Sequence, residues 1–308
     1  MEHDILDLLK RSAAIPSMPQ VATRFLEIVQ DPDFDYADVV EVLSTDPGTA
    51  SEILRLANSS LFGVTRQVTS LAHALTLLGL RRVRSLVLGR YIVESIDIKN
   101  TSTLDTSYYW RRSLATAVLA AKLADALAPN MREEAFISGL LADVGVVILN
   151  EVVWDRYRTV AQQYCPNGNP NPAQDEVQRI DIHHGQASAL VLEHWQLPEV
   201  VCEAVRHHPW EIEQNEPSLL AKLVGSADRL GKYLCERPED KGQVFDACGQ
   251  VMERLGLEIA VLAKLLPEIE SQIEEFAQVL HIDVIPSQIY QMIADGLRDQ
   301  LVEQKATV

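Results

Sequence analysis

At 308 residues, 47% of them hydrophobic and 23% charged, the chain can bury a sizeable core and divide it among two or three sub-domains. Its formal net charge of −17 argues against non-specific nucleic-acid binding, which depends on Lys and Arg neutralising phosphates, and no uninterrupted apolar run of about 18 residues offers a membrane span. Cysteines 165, 202, 235 and 248 lack CxxC spacing and read as reduced core residues, and the acidic start MEHDILDLLK is unlike a signal peptide, so a soluble cytoplasmic protein is expected.

Helical spacing recurs along the whole chain, and no period-2 run bounded by hairpin turns interrupts it, so the predicted fold class is all-α. IPSMP (15–19) is an extended lead into a helix with Val21, Phe25, Ile28 and Val29 on one face. In DPDFDYADVVEVL, Asp35 suits an N-cap and Asp38 the first turn. TDPGTASEILRLANSSLFG repeats that grammar: Asp46 and Pro47 open a helix, Leu54 and Leu56 continue it, and Asn58 through Gly63 end it. LRRVRSLVLGR is a local exception to the acidity. Its Arg81, Arg82, Arg84 and Arg90 form the solvated face of an amphipathic helix or face an anionic partner.

Asp97 to Asp105 (DIKNTSTLD) is polar and reads as a linker to a second helical group, about Ser107 to Leu234. Within that group CPNGNPNP (165–172) is too rich in Pro, Gly and Asn for a regular element. After Arg237 three or four amphipathic helices are expected, in VFDACGQVMERLG, LEIAVLAKLLPEIESQIEEFAQVL and SQIYQMIADGLRDQLVEQ. The resulting boundaries are 1–100, 101–236 and an acidic helical extension, 237–308.

The chemistry-bearing residues fall in the second group. In GLLADVGVVIL the one charged residue, Asp143, lies three residues after Leu140 and four before Val147; on a helix its carboxylate would point at the buried face and need a partner. IDIHHGQASALVLEHWQLP carries His183, His184 and His194, and AVRHHPWE carries His207 and His208 at an expected helix C-terminus. Asp228, in LLAKLVGSADRLGKYL, also points at an apolar face. Inward carboxylates and imidazoles on several helices of one bundle suit a metal site. The structural alternatives are a helix dipole met by the His pair and a neighbouring helix capped by the acid.

From about Ile15 to about Leu234 the chain resembles the HDOD domain proteins, bacterial signalling relatives of the HD-type metal-dependent phosphohydrolases. IPSMP, LSTDPGTASEILRLANSSLFG and SLAHALTLLGLRRVRSLVLG carry the first part of the resemblance; YWRRS, LLADVG, Glu176, HHGQASALVLEHWQLP, AVRHH and LVGSADRL carry the second. It implies an N-terminal helical subdomain, an HD-like helical bundle and extra C-terminal helices. Carried over residue by residue, the HD metal site is degenerate. Arg112 stands at the first His position and Ala142 at the His of the His-Asp pair, while Asp143, His184, His207 or His208, and Asp228 match. The spacing to Trp195 favours His184 over His183.

A guanidinium cannot give up its proton to ligate a cation, but it can pair with a carboxylate, so Arg112 is expected where a metal charge would sit, neutralising Asp143. The resemblance thus implies a non-catalytic signalling or scaffold module with no cofactor. It also implies protein partners in a bacterial pathway, with cyclic-di-GMP turnover as the candidate link; from the charge and the lack of an apolar span, neither nucleic acid nor membrane is expected as a partner. The alternative is a metal-dependent phosphohydrolase or phosphodiesterase holding Mn, Fe, Mg, Zn or Ni on Asp143, His184, His207 and Asp228.

Overall fold

Helices and no strands make up the described residues of the computed structural model, and the expected all-α class holds. The described residues are 2–306 apart from 13, 14, 16, 32, 59–66, 96–103, 167, 169–171, 213–215, 236–240, 281 and 283–288. The expected helix stop beyond Asn58, most of the polar stretch 97–105 and the middle of the loop 165–172 lie outside them. The chain divides into two compact units. The smaller comprises Pro16–Asp97 and Glu275–Ile282; the larger comprises Met1–Ile15, Ile98–Glu274 and Asp283–Val308.

The chain opens with α1 (Glu2–Arg11), which belongs to the larger unit. In the smaller unit, α2 (Gln20–Gln30) buries Ala22, Phe25 and Leu26, and α3 (Tyr36–Ser44) starts where the Asp35 carboxylate accepts from Ala37 N at 2.8 Å. Asp46 caps α4 (Pro47–Ala57), accepting from Gly48 N at 2.9 Å and Thr49 N at 3.3 Å, while Pro47 has no N–H that would need an acceptor. Ser70 caps α5 (Leu71–Leu78), and Gly79, at φ 78, turns the chain into α6 (Leu80–Ser95). On α6, Val83, Leu86, Val87, Leu88 and Tyr91 are all buried and cover more than half of the circumference. Only Arg81 of the four arginines is exposed; Arg82, Arg84 and Arg90 are half-buried, so no single solvated arginine face exists.

The larger unit is built around α7 (Thr106–Leu127), buried almost continuously from Tyr108 to Ala124. α8 (Arg132–Leu141), α9 (Val144–Val152), α10 (Trp154–Ala161), α11 (Pro172–Ile180), α12 (His184–His194), α13 (Glu199–Arg206) and α14 (Leu219–Cys235) follow. α7 packs against α8 and α14, α9 against α12, and α12 against α13. The acidic tail supplies α15 (Lys241–Leu255), α16 (Ile259–Leu265), α17 (Ile269–Leu280) and α18 (Ile289–Ala306); a 3-10 turn at Leu266–Glu268, around Pro267, separates α16 from α17.

By length and composition one span among the described residues, Pro129–Val152, could cross a bilayer, with a mean hydropathy of 1.8 and 89% of its window buried. It forms core helices α8 and α9. The GLLADVGVVIL run is therefore broken: α8 stops at Leu141, Ala142 is still helical, and Asp143, at φ −101 and ψ 11, stands at the N-cap position of α9.

Candidate functional site

Asp143 occupies a helix start without capping it, since its side chain accepts no bond from the first turn of α9. A side chain from another helix does that work. Ser188 Oγ, on α12, accepts from Gly145 N at 2.7 Å and donates to Ala142 O at 2.6 Å. Asp143, 2% exposed, is thereby free to face the interior, where four side chains meet it.

The first is Arg112 of α7, 4% exposed, whose Nε lies 3.4 Å from Asp143 Oδ2. The fork of Arg112 goes elsewhere: Nε and Nη2 donate to Asp228 Oδ1 and Oδ2 of α14 at 2.9 and 2.8 Å. The expected pairing with Asp143 is thus the longer of two contacts, and the bidentate partner is Asp228. α7 and α14 run side by side, which puts the fork and the carboxylate in register; Asp143, on the α8–α9 turn, approaches Arg112 from another side. The second is Tyr164, which donates to Asp143 Oδ2 and lays its ring 4.8 Å from the Arg112 guanidinium carbon.

The other two are His184, the first residue of α12, and His208, just past the end of α13. Their Nε2 atoms are 3.3 Å apart, and each lies 3.4 Å from Asp143 Oδ1. Their other ring nitrogens are fixed from behind. His184 Nδ1 faces Glu176 Oε2 at 2.7 Å, and His208 Nδ1 faces Val205 O, also at 2.7 Å. Because a carboxylate and a carbonyl accept, both Nδ1 atoms carry hydrogen, and both Nε2 atoms point toward Asp143. Glu176 is itself held by His184 N at 2.7 Å and by the Tyr157 hydroxyl at 2.5 Å.

Two glycines seat the histidines. A Cβ on Gly145 would collide with the carbonyl oxygen of His184, and one on Gly225 with the carbonyl oxygen of His208. Only a bare backbone lets α9 and α14 come this close.

Charge shapes the protonation of the cluster. Burial raises the pKa of Asp143, but Arg112 and the two histidines outweigh it and hold the carboxyl well below its ordinary 3.8. Burial lowers His184, yet Glu176 and then Asp143 lift it from 6.5 to about 9. The guanidinium of Arg112 loses by burial and gains more from Asp228, Tyr164 and Asp143, so it stays charged.

Of the residues expected at the site, the structure brings together Arg112, Asp143, His184, His208 and Asp228. His207 caps the end of α13, half-buried and outside the cluster; His183 precedes α12, its ring 6.3 Å from that of His184; His194 is exposed. Ala142 contributes a backbone oxygen. Tyr164, Tyr157 and Ser188 were not expected: their partners lie 21, 19 and 43 residues away, and no local spacing marks them.

Asp143, His184 and His208 could hold a metal ion, with ligand atoms all within 4.8 Å of one another. The fit is close for three donors. A tetrahedral ion bound at about 2.0–2.1 Å has donor–donor edges of about 3.3–3.4 Å, the separations found here, and Asp143 Oδ1 makes no hydrogen bond. It is poor for a fourth, because Asp228 is engaged by Arg112.

The HDOD domain family model matches residues 15–210. An uncharacterized protein of Treponema pallidum (strain Nichols) is 25% identical over 227 residues; the match takes in 71% of this chain and 43% of that protein, so the chain spans less than half of that relative's length. Among solved structures, a candidate phosphohydrolase of Shewanella amazonensis SB2B is similar at TM-score 0.70 and 21% identity, over 88% of this chain and 99% of that one. An HDOD domain protein of unknown function from Geobacter sulfurreducens is similar at TM-score 0.65 and 22% identity, over 92% and 99%. A candidate signal transduction protein of Marinobacter aquaeolei VT8 reaches TM-score 0.59 at 21% identity, over 96% and 61%.

Proposed function

We propose that this chain, which belongs to the HDOD domain family, acts as a non-catalytic signalling module whose buried cluster is held by an arginine instead of a metal. The observation that carries this reading is the fork of Arg112 on Asp228, with Nε 3.4 Å from Asp143. One permanent cation thereby serves both carboxylates. A divalent ion on Asp143 would place a second cation beside the first, and Asp228 could join it only by giving up its bidentate bond to the buried Arg112. Supporting context comes from the Marinobacter protein, which shares the fold and carries a signal-transduction name.

Metal analysis of the purified chain, followed by phosphodiesterase assay with Mn or Fe supplied, tests the reading. Sub-stoichiometric metal and no turnover are expected. Stoichiometric metal with turnover abolished by Asp143→Asn would overturn it. The candidate link to cyclic-di-GMP turnover is tested separately: an unchanged cellular level of that nucleotide after deletion of the gene would remove it.

A second reading, a metal-dependent phosphohydrolase, is favoured by the triangle of Asp143 Oδ1, His184 Nε2 and His208 Nε2 at 3.3–3.4 Å. Formal charge is compatible with it: Asp143, Asp228 and Glu176 face Arg112 and a protonated His184, and a divalent ion that displaced the His184 proton would balance the sum. A metal held there would supply a polarised water and a Lewis acid. In that case Glu176 and Val205 O would orient the imidazoles, Tyr164 would hold Asp143 Oδ2, and Arg112 would stay on Asp228.

A further inference from the structure

Outside this cluster, two arginines share one indole. Trp210 follows α13; the guanidinium carbon of Arg229, on α14, lies 4.9 Å from the centre of its ring, and that of Arg254, on α15, lies 5.0 Å away. Arg229 has polar company as well: its Nε donates to Gln250 Oε1 at 3.1 Å, Nη1 is 4.0 Å from Glu211 Oε1, and the Tyr233 ring is 5.9 Å off. Arg254 has none. Its Nε is buried without a hydrogen-bond partner, and among the described residues no carboxylate lies within ion-pair distance of it.

The energetics are unbalanced. Removing a guanidinium nitrogen from water without a hydrogen-bond partner is unfavourable, and the contact with an indole face offsets only part of that cost. Burial accordingly lowers the pKa of Arg254, and Glu211 only partly opposes it. Two cations share one ring and a single acid, Glu211, so the group carries one positive charge in excess.

We propose that Arg254 and Arg229, stacked on Trp210, form a binding site for an oxyanion of the phosphate class, either free phosphate or the phosphoryl group of a small molecule. The guanidinium nitrogens of both arginines donate to its oxygens. The site adjoins the buried cluster without sharing residues with it. Arg229 is the neighbour of Asp228, and Trp210 lies two residues beyond His208. An anion drawn between α14, α15 and the segment after α13 therefore tightens the elements that carry Asp228 and His208. The inference does not depend on whether that cluster holds a metal.

The test is titration of the full chain with inorganic phosphate and, in a second arm, phenyl phosphate, followed by calorimetry and by tryptophan fluorescence. Saturable binding is expected, and Trp210→Phe identifies which of the 4 tryptophans reports it. Arg254→Gln is expected to weaken binding about tenfold or more, as loss of a charge-assisted hydrogen bond would. Arg254→Lys, which keeps the charge and guards against a folding defect, is expected to weaken it by a smaller factor. Tighter binding of phosphate marks the free ion as the ligand; tighter binding of phenyl phosphate marks a phosphorylated molecule. Equal affinity in wild type and Arg254→Gln, a response reproduced by sodium chloride at matched ionic strength, or loss of binding on Arg112→Gln with Arg254→Gln unaffected would each overturn the proposal.

Discussion

Asp46 and Asp143 occupy the same place in their helices, the residue before the first turn of α4 and of α9, and they spend their carboxylates differently. Asp46, half-buried in the smaller unit, accepts from Gly48 N, Thr49 N, Thr49 Oγ1 at 2.8 Å and the Tyr91 hydroxyl at 2.6 Å. All its donors are neutral, and three of the four belong to its own helix. Asp143 gives its own helix nothing and meets Arg112, Tyr164, His184 and His208 instead. A helix-start aspartate that caps is architecture. One whose capping duty has passed to a serine on another helix is held in reserve for charge.

The sharpest way to break this comparison is to remove each acid. Asp143→Ala leaves Arg112 to Asp228 alone, takes the acceptor from the Tyr164 hydroxyl and removes the carboxylate facing both imidazole Nε2 atoms, and is expected to cost about 3 kcal/mol or more. Asp46→Ala loses a cap and is expected to cost about 1 kcal/mol. Urea unfolding measures the first by fluorescence, because Trp110, Trp154, Trp195 and Trp210 all lie in the larger unit. Circular dichroism measures the second. Equal costs would mean that the two aspartates are not different in kind.

Next in size come the residues that place the partners. Gly225→Ala drives a methyl into the His208 carbonyl and is expected to destabilise by about 1–3 kcal/mol. Ser188→Ala leaves Gly145 N and Ala142 O without their bonds and is expected to cost a similar amount, about 1–3 kcal/mol. If Ser188→Ala proves neutral in the same unfolding experiment, Asp143 has turned back to cap α9, and the division of labour between the two residues fails.

The smallest effect is on pH dependence. His184, raised from 6.5 to about 9, contributes stability that is fully present below 6.5 and fades as pH rises through about 9. Tyr91, raised from 10.0 to about 12 by burial and by Asp46, contributes below 10.0 and fades only through about 12. Both aspartates have lowered values, so their contributions are present above 3.8 and fade as pH falls. Between neutrality and pH 9 the larger unit is therefore expected to weaken, by its tryptophan-monitored urea midpoint, while the Asp46 node holds. A stoichiometric metal would abolish that decline, because His184 Nε2 would then carry no proton.

Much of this was legible in the sequence. Asp35, Asp46 and Pro47 announce their helices through local chemistry, and local chemistry is what a sequence displays. The placement of Arg112 in a buried charged cluster followed from the family resemblance, since it stands where a ligand is expected. Its bidentate partner was missed because Asp143 and Asp228 approach it from two helices, and residue spacing carries no information about which side chain matches the plane of a guanidinium. The choice between His207 and His208 depended on where α13 ends. Continuous apolarity across GLLADVGVVIL hid the turn at Asp143, because both flanking helices are buried there and share one composition.

The Ser188 bonds have a consequence for how the larger unit assembles. α4 closes its first turn with residues two and three positions away, so its start can form as soon as that segment is made. α9 borrows its terminal acceptor from 43 residues downstream, so its first turn cannot be satisfied until α12 has docked. Because His184 opens α12, the event that completes the α9 terminus also delivers an imidazole to Asp143. Helix completion and cluster assembly are one cooperative step, and the amides of Gly145 and of the first turn of α12 should gain protection from hydrogen exchange together, after those of α4.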